Sequence, residues 1–138
     1  MMKSELYLLD TNICVFFLRK KYDIDIQLRT TGLDRCFISE ITVAELLYGA
    51  ECSNNPTSNK KLIYSFCDML QVIPIRDALE EFAVQKTRLR KEGKPIDDFD
   101  LLIGSTAISN GLTLVTDNQK HFDRLPKLKI INWVVREL

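Results

Sequence analysis

Leu6-Tyr7-Leu8-Leu9-Asp10-Thr11-Asn12-Ile13 decides the fold. A short apolar run of this kind suits a strand buried on both faces, and the Asp-Thr-Asn that follows is suited to starting a helix. A buried strand feeding straight into a helix opens a β-α unit, and the same punctuation recurs along the chain. The carboxylate at the junction is the first of a set, Asp10, Glu45, Asp100 and Asp117, each standing beside a short apolar run. An acid on a core-facing edge costs on the order of several kcal/mol unless something positive compensates it. A metal ion is one compensator and an arginine is the other.

Outward from that stretch, residues 11–19 continue as an apolar helix and residues 36–38 form a short strand. Ser39 is a good N-cap for a helix over residues 40–52. Residues 53–58 read as a loop, residues 60–70 as a helix, and Val72, Ile73 and Ile75 as a strand whose Pro74 favours a sheet edge. Asp77 is positioned to cap a long helix through Glu92 that stops at Gly93 and Pro95. Asp97 or Asp98 begins the next helix, which ends at Gly111. A strand at residues 113–115, a short helix at 119–122 and a last strand at 129–131 complete the chain. Strands alternating with helices imply an α/β fold, with a central parallel sheet of about five strands flanked by helices on both faces.

The chain has 138 residues, 46% of them hydrophobic, which is enough for one core, and no composition break divides residues 1–138 into two domains. The formal net charge of zero gives no global attraction for polyanions, so any nucleic-acid surface has to be a local patch. The apolar run after Met1-Met2-Lys3-Ser4-Glu5 is too short for a signal peptide or membrane span, which points to a cytoplasmic protein without membrane contact. Cys14, Cys36, Cys52 and Cys67 are scattered with no Cys-x-x-Cys pair, so they read as core thiols and not as zinc ligands. His121 is the only histidine, which excludes a ribonuclease working with a histidine pair, and it reads as a surface residue. No phosphate-binding glycine loop is present.

In open parallel sheets ligands bind beyond the carboxyl ends of the strands, and Asp10 and Asp117 both follow strands. They converge if those two strands are neighbours. Helical spacing puts Glu45 on one stripe with Ile41, Tyr48 and Cys52, facing inward or along the core edge. Asp100 shares its face with Ile103, Gly104 and Ala107 in the first turn of its helix. Each acid has a bland reading as well: Asp10 as an N-cap, Glu45 as an ion-pair partner, Asp100 as a dipole-stabilising acid, Asp117 as a turn residue. Together they favour a site for a hard divalent cation, because Mg²⁺ takes oxygen ligands and keeps several waters.

Leu8-Leu9-Asp10-Thr11-Asn12-Ile13, Thr42-Val43-Ala44-Glu45-Leu46-Leu47-Tyr48-Gly49-Ala50, Gly93-Lys94-Pro95-Ile96, Asp100-Leu101-Leu102-Ile103 and Leu114-Val115-Thr116-Asp117-Asn118 resemble the PIN-domain ribonucleases. More narrowly, the chain resembles VapC toxins of type II toxin–antitoxin modules, and the likeness extends to Ile131-Asn132-Trp133. The resemblance implies a PIN fold and cleavage of structured RNA such as tRNA with Mg²⁺ or Mn²⁺. It also implies inhibition by a VapB antitoxin, and a homodimer. It carries the catalytic and metal-binding roles onto Asp10, Glu45, Asp100 and Asp117. Asn12, Asp98 and Thr116, beside these acids in the sequence, are accessory candidates.

Lys86, Arg88, Arg90, Lys91 and Lys94 cluster just before the third acid and could track a phosphate backbone, with Arg19, Lys20 and Lys21 as a second patch. The other reading of both is a solvated face. Two further classes stay open: an inactive interaction module whose acids accept a partner's arginine, and a phosphotransfer receiver. The receiver is disfavoured because the first strand ends in Asp-Thr-Asn and not in an acid pair.

Overall fold

The computed structural model describes residues 5–136. Its centre is a five-stranded sheet in the order β3-β2-β1-β4-β5, with every neighbouring pair parallel. The strands are β1 (Tyr7–Leu9), β2 (Cys36–Ser39), β3 (Gln71–Ile73), β4 (Thr113–Val115) and β5 (Ile130–Ile131). The helices between them are α1 (Thr11–Leu18), α2 (Ile24–Thr31), α3 (Glu40–Glu51), α4 (Pro56–Asp68), α5 (Leu79–Lys91), α6 (Asp98–Asn110) and α7 (Gln119–Phe122).

Successive strand residues point to opposite faces, and both faces are buried. Leu9, Ile38 and Val115 pack with Ile13, Leu28, Leu46, Phe66 and Trp133 on one side. Leu8 and Leu114 pack with Leu89, Ile103, Phe122 and Leu125 on the other. This double burial is why the strands read as continuous apolar runs. β1 and β4 are neighbours, with Leu9 in register with Val115, so the residues that follow them leave the sheet side by side.

The expected strands and most helices are present, with differences at particular starts. The segment expected as a loop at 53–58 already turns helical at Pro56: the Asn55 side chain accepts from the Ser58 N–H at 3.4 Å, and proline fits the first helical position because it has no N–H to satisfy there. Asp77 does not cap α5; a 3₁₀ turn over Arg76–Ala78 intervenes, and Ala78 stands at the cap with no side-chain bond. Helix α2 leaves little trace in the sequence, since its apolar positions are few and Lys20, Tyr22 and Asp23 before it adopt left-handed φ of 56°, 56° and 53°. Pro74 follows β3, which is an edge strand as its proline requires. Among the described residues all cysteines are free, and no helix is long and apolar enough to cross a membrane.

Candidate metal centre

Asp10 caps α1, with Oδ1 accepting from the Thr11 N–H at 2.8 Å. The bland reading is therefore correct as far as it goes, but only one of its oxygens is used that way. Oδ2 accepts from Thr116 Oγ1 at 2.7 Å, and Thr116 Oγ1 in turn accepts from the Asn118 N–H at 2.9 Å. Asp10 is 4% exposed, and burial, reinforced by the charges of Asp100 and Glu45, pushes its carboxyl up to about 6 despite those hydrogen bonds. Among the described residues no cation offsets this cost.

Glu45 projects from α3, whose N-terminus Ser39 caps by accepting from the Ile41 N–H at 3.1 Å. Its Oε1 accepts from Thr11 Oγ1 at 2.7 Å, and that hydroxyl lies 3.0 Å from Thr42 Oγ1. The two threonines fix the carboxylate beside the end of β1. Half-buried Glu45 lies along the core edge, one of the two expected positions, but the stripe beyond it turns to solvent: Tyr48 is 73% exposed and Cys52 is exposed too. The face of α3 that packs inward is instead Thr42, Leu46 and Ala50, so Glu45 sits at its border.

Asp100 enters from α6, where Asp97 is the cap, accepting from the N–H groups of Phe99 and Asp100 at 3.1 and 3.3 Å. Burial raises the Asp100 carboxyl, as do the charges of Asp97 and Glu45, while His121 lowers it. Asp10, Glu45 and Asp100 thus feel one another across the carboxyl ends of β1 and β4. Asp98 points elsewhere and pairs with Lys86 at 3.0 Å, so it does not join the set.

Asp117 departs from the expectation that it completes the group. Its oxygens accept from Arg136 at 2.8 and 2.6 Å and from Asn132 Nδ2 at 3.1 Å, and Arg136 holds its carboxyl below the usual range. Strand adjacency does bring the Asp117 backbone to the site, with its N–H 3.4 Å from Asn12 Oδ1. The side chain, 17% exposed, is held by the arginine.

Two residues not singled out in the sequence belong to the site. Thr11 reads there as an ordinary helix start, and only the packing of α3 against α1 shows its hydroxyl on Glu45. His121 is exposed as expected, but α7 places its Nδ1 3.7 Å from Asp100 Oδ2 and 2.9 Å from Asn118 Nδ2. Of the basic cluster, Lys86 is paired with Asp98, and Arg88 is tied to Glu92, Gln85 and the Arg124 carbonyl. Arg90, Lys91 and Lys94 are exposed.

The donor set fits a hard divalent cation. Asp10, Glu45 and Asp100 bear on one another, Asp10 is buried with no basic side chain against it among the described residues, and the carboxylates offer oxygen donors, with the His121 ring nitrogen beside Asp100. Among the described residues no three liganding side chains close into a ready cage. An ion that keeps several of its waters needs only one or two direct carboxylates.

The parallel sheet brings acids together at the carboxyl ends of adjacent strands, and residues 7–128 match the PIN domain family. A tRNA(fMet)-specific endonuclease VapC of Salmonella typhimurium is 34% identical over 131 residues, covering 92% of this chain and 97% of that protein. Ribonuclease VapC2 of Haemophilus influenzae is 36% identical over 130 residues, covering 93% and 98%. A chain of DNA-bound VapBC from Salmonella typhimurium superposes with a TM-score of 0.88 at 33% identity, covering 94% of this chain and 98% of that one. The chain belongs to the PIN-domain family, within its VapC ribonuclease branch.

Proposed function

We propose that this protein is the toxin of a type II toxin–antitoxin module. In this reading it is a single PIN domain spanning residues 1–138 that acts in the cytoplasm as a metal-dependent endoribonuclease on structured RNA, with tRNA the favoured substrate. The observation that carries the reading is the uncompensated, buried Asp10 facing Asp100 and Glu45. A bound Mg²⁺ or Mn²⁺ would supply a water of lowered pKa and neutralise charge on the scissile phosphate. Asp10 and Asp100 would hold that ion directly, and Glu45 through water.

This chain's own residues set the geometry around the ion. Thr116 and the α1 N-terminus fix both oxygens of Asp10, so the carboxylate needs little reorganisation. Thr11 fixes Glu45 in the same way. The TM-score with a VapBC complex and the names of the relatives support the partner class. We assign the antitoxin to the groove of about 400 Å³ between α1, α3 and α4, walled by Val15, Leu18, Leu46, Leu62 and Ile63. Thr11 and Glu45 line the same groove, so a partner arginine laid along it would reach the acids. Family likeness further suggests a homodimer.

The test is incubation of purified protein with total RNA in Mg²⁺ or in EDTA, beside an Asp10→Asn variant. Cutting in Mg²⁺ alone, and only by the wild type, is expected. Equal cutting by the variant, or cutting indifferent to EDTA, sinks the metal-nuclease reading.

A further inference from the structure

The Asp117–Arg136 pair is more than a stray surface bridge. Arg136 grips both oxygens of Asp117 from one direction, at 2.8 and 2.6 Å, and its guanidinium carbon lies 5.2 Å from the centre of the Tyr22 ring. Tyr22 is itself braced edge-on against Phe16 at 4.9 Å. Asn132 donates to the same carboxylate and accepts from the Val134 N–H at 2.9 Å, which ties down the backbone leading to Arg136. A fork-to-fork grip plus an aromatic floor fixes a guanidinium that would otherwise sample many rotamers.

The loop that supplies Tyr22 is strained. Lys20, Tyr22 and Asp23 all carry left-handed φ, a conformation that costs non-glycine residues energy and persists where surrounding contacts enforce it. Lys20 and Lys21, exposed, precede Tyr22 in this loop, while Arg19 at the end of α1 lines the groove between α1, α3 and α4. Among the described residues Lys20, Lys21 and Arg136 share this corner with the acids Asp23 and Asp117. A guanidinium has five N–H donors, and a bidentate carboxylate uses two of them. Tyr22 engages the guanidinium as well, and the donors beyond these are the ones a phosphate would meet.

The corner also adjoins the acids. Asp117 follows Thr116, whose hydroxyl donates to Asp10, and its N–H is held by Asn12 from the first turn of α1. We propose that the Asp117–Arg136 pair, seated on Tyr22 with Lys20 and Lys21 in the same loop, is a phosphate-docking corner for the RNA strand at the mouth of the acidic pocket. Asp117 is there the positioning residue of an arginine and not a metal ligand. The inference rests on the nuclease reading and deepens it.

The probe is fluorescein-labelled bulk tRNA, titrated in EDTA at graded KCl with wild-type protein and with Arg136→Gln and Arg136→Lys variants. Arg136→Gln is expected to weaken binding about five- to tenfold and to lower the salt slope by about one. Arg136→Lys keeps the slope but not the affinity, because an ammonium cannot hold the fork. In parallel, Mn²⁺ calorimetry on RNA-free protein should find Asp117→Asn within about twofold of wild type and Asp100→Asn weakened at least about tenfold. Wild-type protein that binds tRNA while Arg136→Gln matches its affinity and slope overturns the docking corner alone. So does Asp117→Asn that weakens Mn²⁺ as much as Asp100→Asn does. Wild-type protein that fails to bind tRNA at any salt overturns the nuclease reading with it.

Discussion

Replacing Asp10 by asparagine is expected to stabilise the metal-free protein while abolishing its activity. The carboxyl titrates at about 6 in the folded chain against a value near 3.8 unfolded. A raised acid destabilises the fold above its folded pKa, so at pH 7.5 the difference of about two units costs about 3 kcal/mol. Asparagine is an equally good N-cap and still accepts from the Thr11 N–H. Its amide NH₂ must face Thr116 Oγ1, which turns from donor to acceptor, and this returns about 1 kcal/mol of the gain. The net of about 2 kcal/mol corresponds to a melting temperature roughly 6–8 °C higher for a chain of this size. The gap should narrow as pH falls through about 6 and close near the unfolded value, because protonation then relieves the wild type as well. Adding Mn²⁺ should raise the wild-type midpoint and leave the variant where it was. Differential scanning calorimetry in EDTA from pH 4 to 8 reads all of this, the range being set by the two pKa values. An Asp10→Asn variant that melts at or below wild type at pH 7.5, or a gap independent of pH, refutes the reasoning.

Thr11→Val removes the hydroxyl that holds Glu45, and kcat should drop about tenfold, the value of one charge-assisted hydrogen bond, with the midpoint of unfolding nearly unchanged. A kcat within twofold of wild type would show that Glu45 needs no such support. Thr116→Val keeps the shape but strips Asp10 of a donor and orphans the Asn118 N–H, at a cost of about 1–3 kcal/mol in urea unfolding. The same change should move the acid limb of the activity profile to higher pH, since that hydrogen bond lowers the Asp10 carboxyl. Gly104→Ala puts a Cβ 2.8 Å from Leu125 Cδ1 and 3.4 Å from Phe122, both fully buried, so overpacking should cost about 1–3 kcal/mol. Because Phe122 ends α7, which carries His121, activity should fall further than stability alone explains.

Much of the scaffold is legible in the amino-acid order because its signals are local. Apolar runs at Leu8-Leu9 and Leu114-Val115 mark strands covered on both faces, Ser39 and Asp97 cap their helices as written, and Gly93 and Gly111 take the left-handed φ that their stop positions demand. Asp10, Glu45 and Asp100 stand out for the same reason, as charges where the surrounding pattern wants neutral groups. What the order of residues could not carry is the partner each polar group finds across the fold. Asp117 and Arg136 lie 19 positions apart, Thr116 and Asp10 lie 106 apart, and Thr11 and Glu45 lie 34 apart. A hydrogen bond between groups that distant depends on strand order and helix packing, and neither leaves a periodic trace. The sheet order set β4 beside β1, and from that placement followed which acids face one another and which one an arginine holds.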